Sequence, residues 1–204
     1  MSTRLYQCIE AIGNRIIENK DFLTDLDREI GDADHGVNMA RGFTEVLAAL
    51  SQDETDIGAA LKKVGMTLLS KVGGASGPLY GTAYMKAAGP VAGKTEITLE
   101  DAREMFKEAI AGIQMRGKAV QGEKTMLDAL IPAYESLNSS IENGVDVKTA
   151  LSRMCETAAM GVEYTKTIQA TKGRASYLGE RSIGHQDPGA TSSLLTLEAI
   201  RDFI

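Results

Sequence analysis

The chain has 204 residues, 43% hydrophobic and 25% charged, the make-up of a globular protein long enough to bury a core without disulfide or metal staples. Lysine plus arginine number 22 against 28 aspartate plus glutamate, a formal charge of −6, which argues against a nucleic-acid binder that works by blanket phosphate neutralisation. A mildly acidic chain that binds phosphates needs backbone N–H groups or metal ions to do so.

The opening, MSTRLYQCIEAIGNRII, has no continuous apolar run and no small-residue cleavage site, so no signal peptide is expected. Leu5, Cys8, Ile9, Ile12 and Ile16 recur at spacings of three and four and predict a first helix. Further helices are expected over 38–50, 57–71 and 78–88. Thr98 can cap a helix whose apolar stripe is Ala102, Met105, Phe106, Ala109, Ile110 and Ile113. Another is expected over 125–139. Asp146 can cap the next, with Val147, Leu151, Met154, Ala158 and Val162 along one side, and a last helix is expected over 189–203. Strand signals are nearly absent. Eight helices and no linker predict one all-α domain over residues 1–204, an up-and-down bundle with short loops. No apolar run approaches the roughly 20 residues needed to span a bilayer. Cys8 and Cys155 are the only cysteines, far apart in helix-like stretches, which disfavours a disulfide framework or a cysteine-based zinc site. A reduced, cytoplasmic protein is expected.

Glycines gather at 31–36 (GDADHG), 73–81 (GGASGPLYG), 117–122 (GKAVQG) and 173–189 (GRASYLGERSIGHQDPG), each between helical segments. In an up-and-down bundle alternate loops share an end. Four such loops separated by helix pairs are therefore expected to meet in one site.

Asp27, Asp32 and Asp34 fall within eight residues of LDREIGDADHG. Three gathered carboxylates repel one another, and desolvation worsens it, so a chain that gathers them beside glycines usually holds a cation. The bland alternative is a solvated acidic turn that caps the helix beginning near Asn38. Oxygen-only ligands select hard ions. The spacing is not that of an EF-hand, because a loop starting at Asp32 puts Gly36 at a ligand position. Mg²⁺ with phosphates as its remaining ligands fits better. In GGASGP, consecutive N–H groups and the Ser76 hydroxyl can cradle an anion, though a plain turn has the same composition. GPVAGKT at 89–95 mimics a Walker A loop but has three residues between its glycines where four are needed.

The last cluster carries Arg174, Glu180, Arg181, His185 and Asp187. Arginine suits phosphate recognition, and Pro188 can open the final helix, turning the N–H groups of Gly189 and Ala190 toward an anion. About 17 structureless residues would be a long loop for a compact domain, which points to function. His35 and His185 are the only histidines. Neither has a paired acid or cysteine that marks a nucleophile, and His35 suits a hydrogen-bonding role. Met126 can pack on an adenine ring; by default it is core.

LDREIGDADHGVNMARGF (26–43), GMTLLSKVGGASGPLYGT (65–82), RGKAVQGEKTMLDA (116–129) and KGRASYLGERSIGHQDPGATSS (172–193) together resemble the ADP-binding L subunits of phosphotransferase-system dihydroxyacetone kinases. The resemblance implies a closed barrel of eight antiparallel helices with the nucleotide at one end. It implies two Mg²⁺ ions on Asp27, Asp32 and Asp34, and an ADP site built from His35, Gly36, Val37, Asn38, Ala75, Ser76, Gly117, Met126, Arg174, Asp187, Pro188 and Gly189. It further implies a phosphoryl relay without a covalent intermediate on this chain. A phosphohistidine on a partner M subunit phosphorylates retained ADP, and the ATP so formed passes its phosphate to dihydroxyacetone on a partner K subunit. Two alternatives stay open: an ATP-exchanging kinase subunit, and a nucleotide-dependent coregulator of a transcription factor.

Overall fold

In the computed structural model, which describes residues 2–204, the chain is helical throughout, and no strand occurs among the described residues. The α-helices are α1 (Arg4–Glu18), α2 (Lys20–Ile30), α3 (His35–Ala49), α4 (Ile57–Lys71), α5 (Ser76–Ala87), α6 (Leu99–Gly117), α7 (Leu127–Glu142), α8 (Val147–Thr165) and α9 (Pro188–Phe203). Short 3₁₀ segments cover Gly89–Val91 and Arg174–Ser182.

The caps explain where the helices start. Thr98 accepts from the Asp101 N–H while Asp101 accepts from the Thr98 N–H, a reciprocal capping box. Asp146 accepts from Thr149, as the sequence suggested, and Thr3, Asp56 and Asp187 do the same for α1, α4 and α9.

Nine α-helices replace the eight expected among the described residues. The extra one is α2, whose buried residues Leu23, Asp27 and Ile30 share one face at spacings of four and three. A single residue, Asn19, separates it from α1. The stretch 173–189 is also not structureless. Its 3₁₀ segment kinks at Gly179 (φ 58°) and docks on α2 through a small cluster of Ile30, Ala170 and Ala175.

Neighbour contacts run from α1 to α3, then in sequence through α4, α5, α6, α7, α8 and α9, and from α9 back to α1; α2 packs on α3 and α9. Phe43, Ile16, Leu23, Met39, Leu68 and Leu127 are wholly buried inside this ring. Small residues let backbones approach. At Gly161 of α8 a Cβ would stand 2.1 Å from the Asp128 carbonyl oxygen of α7, so only glycine fits. Cys8 and Cys155 are free thiols, and burial pushes both up to about 11. Among the described residues no helix is long and apolar enough to cross a membrane.

Candidate nucleotide and metal site

The connections 31–34, 72–75, 118–126 and 166–187 all border one cavity of about 390 Å³. The four glycine clusters therefore do meet at one end. Helices α3, α5, α7 and α9 begin at this cavity, so their N-terminal N–H groups and dipoles favour an anion there.

Asp27, Asp32 and Asp34 offer carboxylate oxygens that all lie within 4.8 Å of one another. Asp27 comes from the last turn of α2, is buried, and accepts from the N–H groups of Asp34 (2.8 Å) and His35 (3.1 Å). These bonds wrap the loop 31–34 back onto α2 and fix the other two acids beside it. Ala33 pays a left-handed φ of 58° for that turn. Asp32 pairs with Arg174 Nη2 at 2.9 Å. Desolvation, then the neighbouring Asp32 charge, holds Asp34 above the ordinary aspartate range. Three mutually repelling oxygen donors, one of them buried, form a donor set that fits a hard divalent cation such as Mg²⁺.

His35 opens α3. Its Nδ1 lies 3.0 Å from Ser76 Oγ and its Nε2 2.8 Å from Ser192 Oγ. Burial drives it down to about 4, so the ring is neutral and acts as a hydrogen-bonding bridge. The chain continues through Ser192 to the Tyr80 hydroxyl (2.7 Å) and on to Ser193 (3.0 Å).

Asp27, Asp32, Asp34, His35, Ala75, Ser76, Gly117, Met126, Arg174, Asp187, Pro188 and Gly189 border the cavity. Gly36, Val37 and Asn38 do not. Helix α3 starts three residues before its expected boundary and turns them away. Gly36 presses on α2, where a Cβ would stand 2.0 Å from the Lys20 carbonyl oxygen. Val37 is half-exposed, and Asn38 is buried with its Oδ1 accepting from Arg41 at 2.6 Å. His185 faces Glu29 at 3.8 Å, outside the cavity. The Walker-like segment forms the 3₁₀ turn elsewhere, with Lys94 paired to Asp101.

Sequence reasoning missed Tyr80, Lys124, Asp128, Ser192 and Ser193. Lys124 had one available signal, its place in a glycine-rich loop two residues before Met126. Asp187 is buried against Lys124, Asp128 and Asp27, and burial above all raises it to about 7.

The DAK2 domain family model matches residues 29–202. The chain is 48% identical over 199 residues to the PEP-dependent dihydroxyacetone kinase, ADP-binding subunit DhaL, of Escherichia coli K12, covering 97% of this chain and 95% of that one. It is 43% identical over 191 residues to the PTS-dependent dihydroxyacetone kinase, ADP-binding subunit DhaL, of Lactococcus lactis, covering 93% and 91%. The human triokinase/FMN cyclase is 31% identical over 205 residues, which are 100% of this chain but 35% of that one. The crystal structure of the dihydroxyacetone kinase from C. freundii in complex with AMP-PNP and Mg²⁺ has a similar fold, with a TM-score of 0.74 at 22% identity; the match covers 99% of this chain and 34% of that one.

Proposed function

Because the chain belongs to the DAK2 domain family, we propose that it is the ADP-binding subunit of a phosphoenolpyruvate-dependent dihydroxyacetone kinase. The observation that carries this is the meeting of the acid trio with four helix N-termini around one cavity. The near full-length likeness to separate ADP-binding subunits favours the relay over an ATP-exchanging kinase fused to its substrate domain.

In this reading residues 1–204 are one domain. The broken rod α1–α2 counts as one member of an eight-helix, antiparallel closed barrel. Asp27, Asp32 and Asp34 hold two Mg²⁺ ions, which supply positive charge against diphosphate oxygens. Ser76, its hydroxyl fixed by His35, and the Gly189 N–H in the first turn of α9 donate hydrogen bonds to the phosphates, while Asp187 caps that turn and Pro188 sets its start. Arg174, already at Asp32, adds a fixed positive charge. Ala75, Gly117 and Met126 line the nucleoside. Gly36 and Val37 contribute through the N-terminal field of α3, and Asn38 steadies the charged form of Asp34. The site holds its nucleotide between a partner that donates a phosphoryl group from phosphohistidine and a partner that holds dihydroxyacetone. Positioning and charge neutralisation do the catalysis, and no side chain of this chain becomes covalently modified.

Native mass spectrometry tests this. The purified chain is expected to carry the mass of ADP plus two magnesium ions. Asp32→Ala and Asp34→Ala are expected to lose it while keeping their helical circular dichroism. Retained ADP in both variants refutes the assignment. Turnover with free ATP and no phosphohistidine partner refutes the relay.

A further inference from the structure

Lys124 sits in the α6–α7 connection, 1% exposed, with a left-handed φ of 60°. A non-glycine residue in that conformation and a buried ammonium both cost free energy, so the surrounding structure must over-determine them. The ammonium is the reason. Its Nζ donates to the main-chain carbonyls of Thr165, His185 and, at 3.4 Å, Ile168. An ammonium has three N–H donors. All three are spent on the α8–α9 segment, and none remains for a phosphate, the partner its glycine-rich loop suggests.

Each side of this clamp is tied to the cavity wall. On the lysine's own side, the buried Asp128 carboxylate accepts from the N–H groups of Gly122 (2.5 Å) and Thr125 (2.8 Å), which sets the loop just before Met126. On the far side, the Asp187 N–H donates to Thr165 Oγ1 at 3.0 Å, and the Asp187 carboxylate caps α9 through the Ala190 N–H at 2.7 Å. The two sides abut, since a Cβ on Gly189 would lie 3.7 Å from Met126 Cβ. Met126 and Gly189 both border the cavity.

We propose that Lys124 is a positioning residue that latches the α6–α7 loop to the α8–α9 segment and thereby sets how slowly a nucleoside diphosphate leaves the cavity. The inference rests on the nucleotide-binding reading above. Parting the two segments must loosen all three lysine bonds together, before water can reach the buried ammonium in their place. Opening is therefore rare, and a loaded site stays loaded.

The test is stopped-flow release of a fluorescent N-methylanthraniloyl-ADP from the magnesium-loaded chain, chased with excess ADP. The intact chain is compared with Lys124→Met, which keeps the stem and loses the charge, and Lys124→Gln, which keeps two N–H donors. Release is expected to quicken at least 30-fold in Lys124→Met and by a smaller factor in Lys124→Gln, with association within threefold of the intact chain. Release is a property of loaded molecules alone. A general folding defect lowers the fraction that loads but does not change how fast each loaded molecule empties. If Lys124→Met fails to fold, Lys124→Gln carries the comparison. Unchanged release in a folded variant overturns the latch alone. An intact chain freed of resident nucleotide with chelator and resupplied with magnesium that never takes up the probe overturns the nucleotide reading and the latch with it.

Discussion

Asp187→Asn perturbs the most strongly shifted carboxyl in the cavity wall. The aspartate is raised from 3.8 to about 7, first by burial and then by the charges of Asp128 and Asp27, with Lys124 and the Ala190 N–H opposing. A carboxyl raised on folding binds a proton that the unfolded chain releases, so its contribution to stability falls as pH rises from about 4 to 7 and is constant above. Three units at about 1.4 kcal/mol each give an upper bound of roughly 4 kcal/mol. His35 works the other way. It is lowered from 6.5 to about 4, so its contribution grows as pH rises through that window, by up to roughly 3 kcal/mol. The intact chain is therefore expected to show a nearly flat profile between pH 4 and 6.5. Asparagine keeps the cap on Ala190 and removes the charge. The rise to about 7 already includes the attraction to Lys124, so relaxation and water around the site are what reduce the bound, to a gain of about 2 kcal/mol at pH 8. Urea unfolding in chelator, without nucleotide, at pH 4.5 and pH 8 reads it. The variant should match the intact chain at the lower pH, exceed it at the higher, and show a rising profile between. A variant less stable than the intact chain at pH 8, or a gap that does not change with pH, refutes the argument.

Gly161→Ala should cost about 2–3 kcal/mol, because the added methyl meets α7 backbone and overpacking there cannot be relieved by a side chain; calorimetry should show a fall of at least about 4 °C, and a smaller fall refutes the close approach. Tyr80→Phe should destabilise by about 1–2 kcal/mol, since Ser192 and Ser193 lose a buried partner, and a neutral result in chemical unfolding would dismiss that network. Thr98→Ala removes an exposed capping box and should cost about 1 kcal/mol in the same assay with nucleotide retention unchanged; lost retention would contradict its distance from the site.

Much of this is legible in the amino-acid sequence. Thr98 and Asp146 announced their helices because capping is local chemistry. The acid trio and each glycine cluster taken alone also suit a plain turn; their recurrence at alternate connections is what pointed to one site. What stayed hidden was long-range. Helix α2 is the exception: Leu23, Asp27 and Ile30 share one face at helical spacing, and a search for apolar residues alone passes over a stripe that has a buried aspartate at its centre. The early start of α3 turns Gly36, Val37 and Asn38 off the cavity wall, and the close approach of Gly36 to Lys20 that enforces this spans two helices. The burial of Lys124 depends on three carbonyls about 40 to 60 residues away, and His35 on hydroxyls at 76 and 192. No local pattern records such partners.

The three connections 50–56, 88–98 and 143–146 contribute nothing to the cavity among the described residues. Two of them bind each other instead, with the Ile57 N–H on the Lys94 carbonyl and the Gly93 N–H on Asp56. Tolerance to alteration should therefore be polarised along the molecule. A peptide tag, an inserted reporter domain or a lengthened turn grafted at 143–146 should be absorbed without disturbing ligand handling, which makes that turn the natural handle for immobilising the protein.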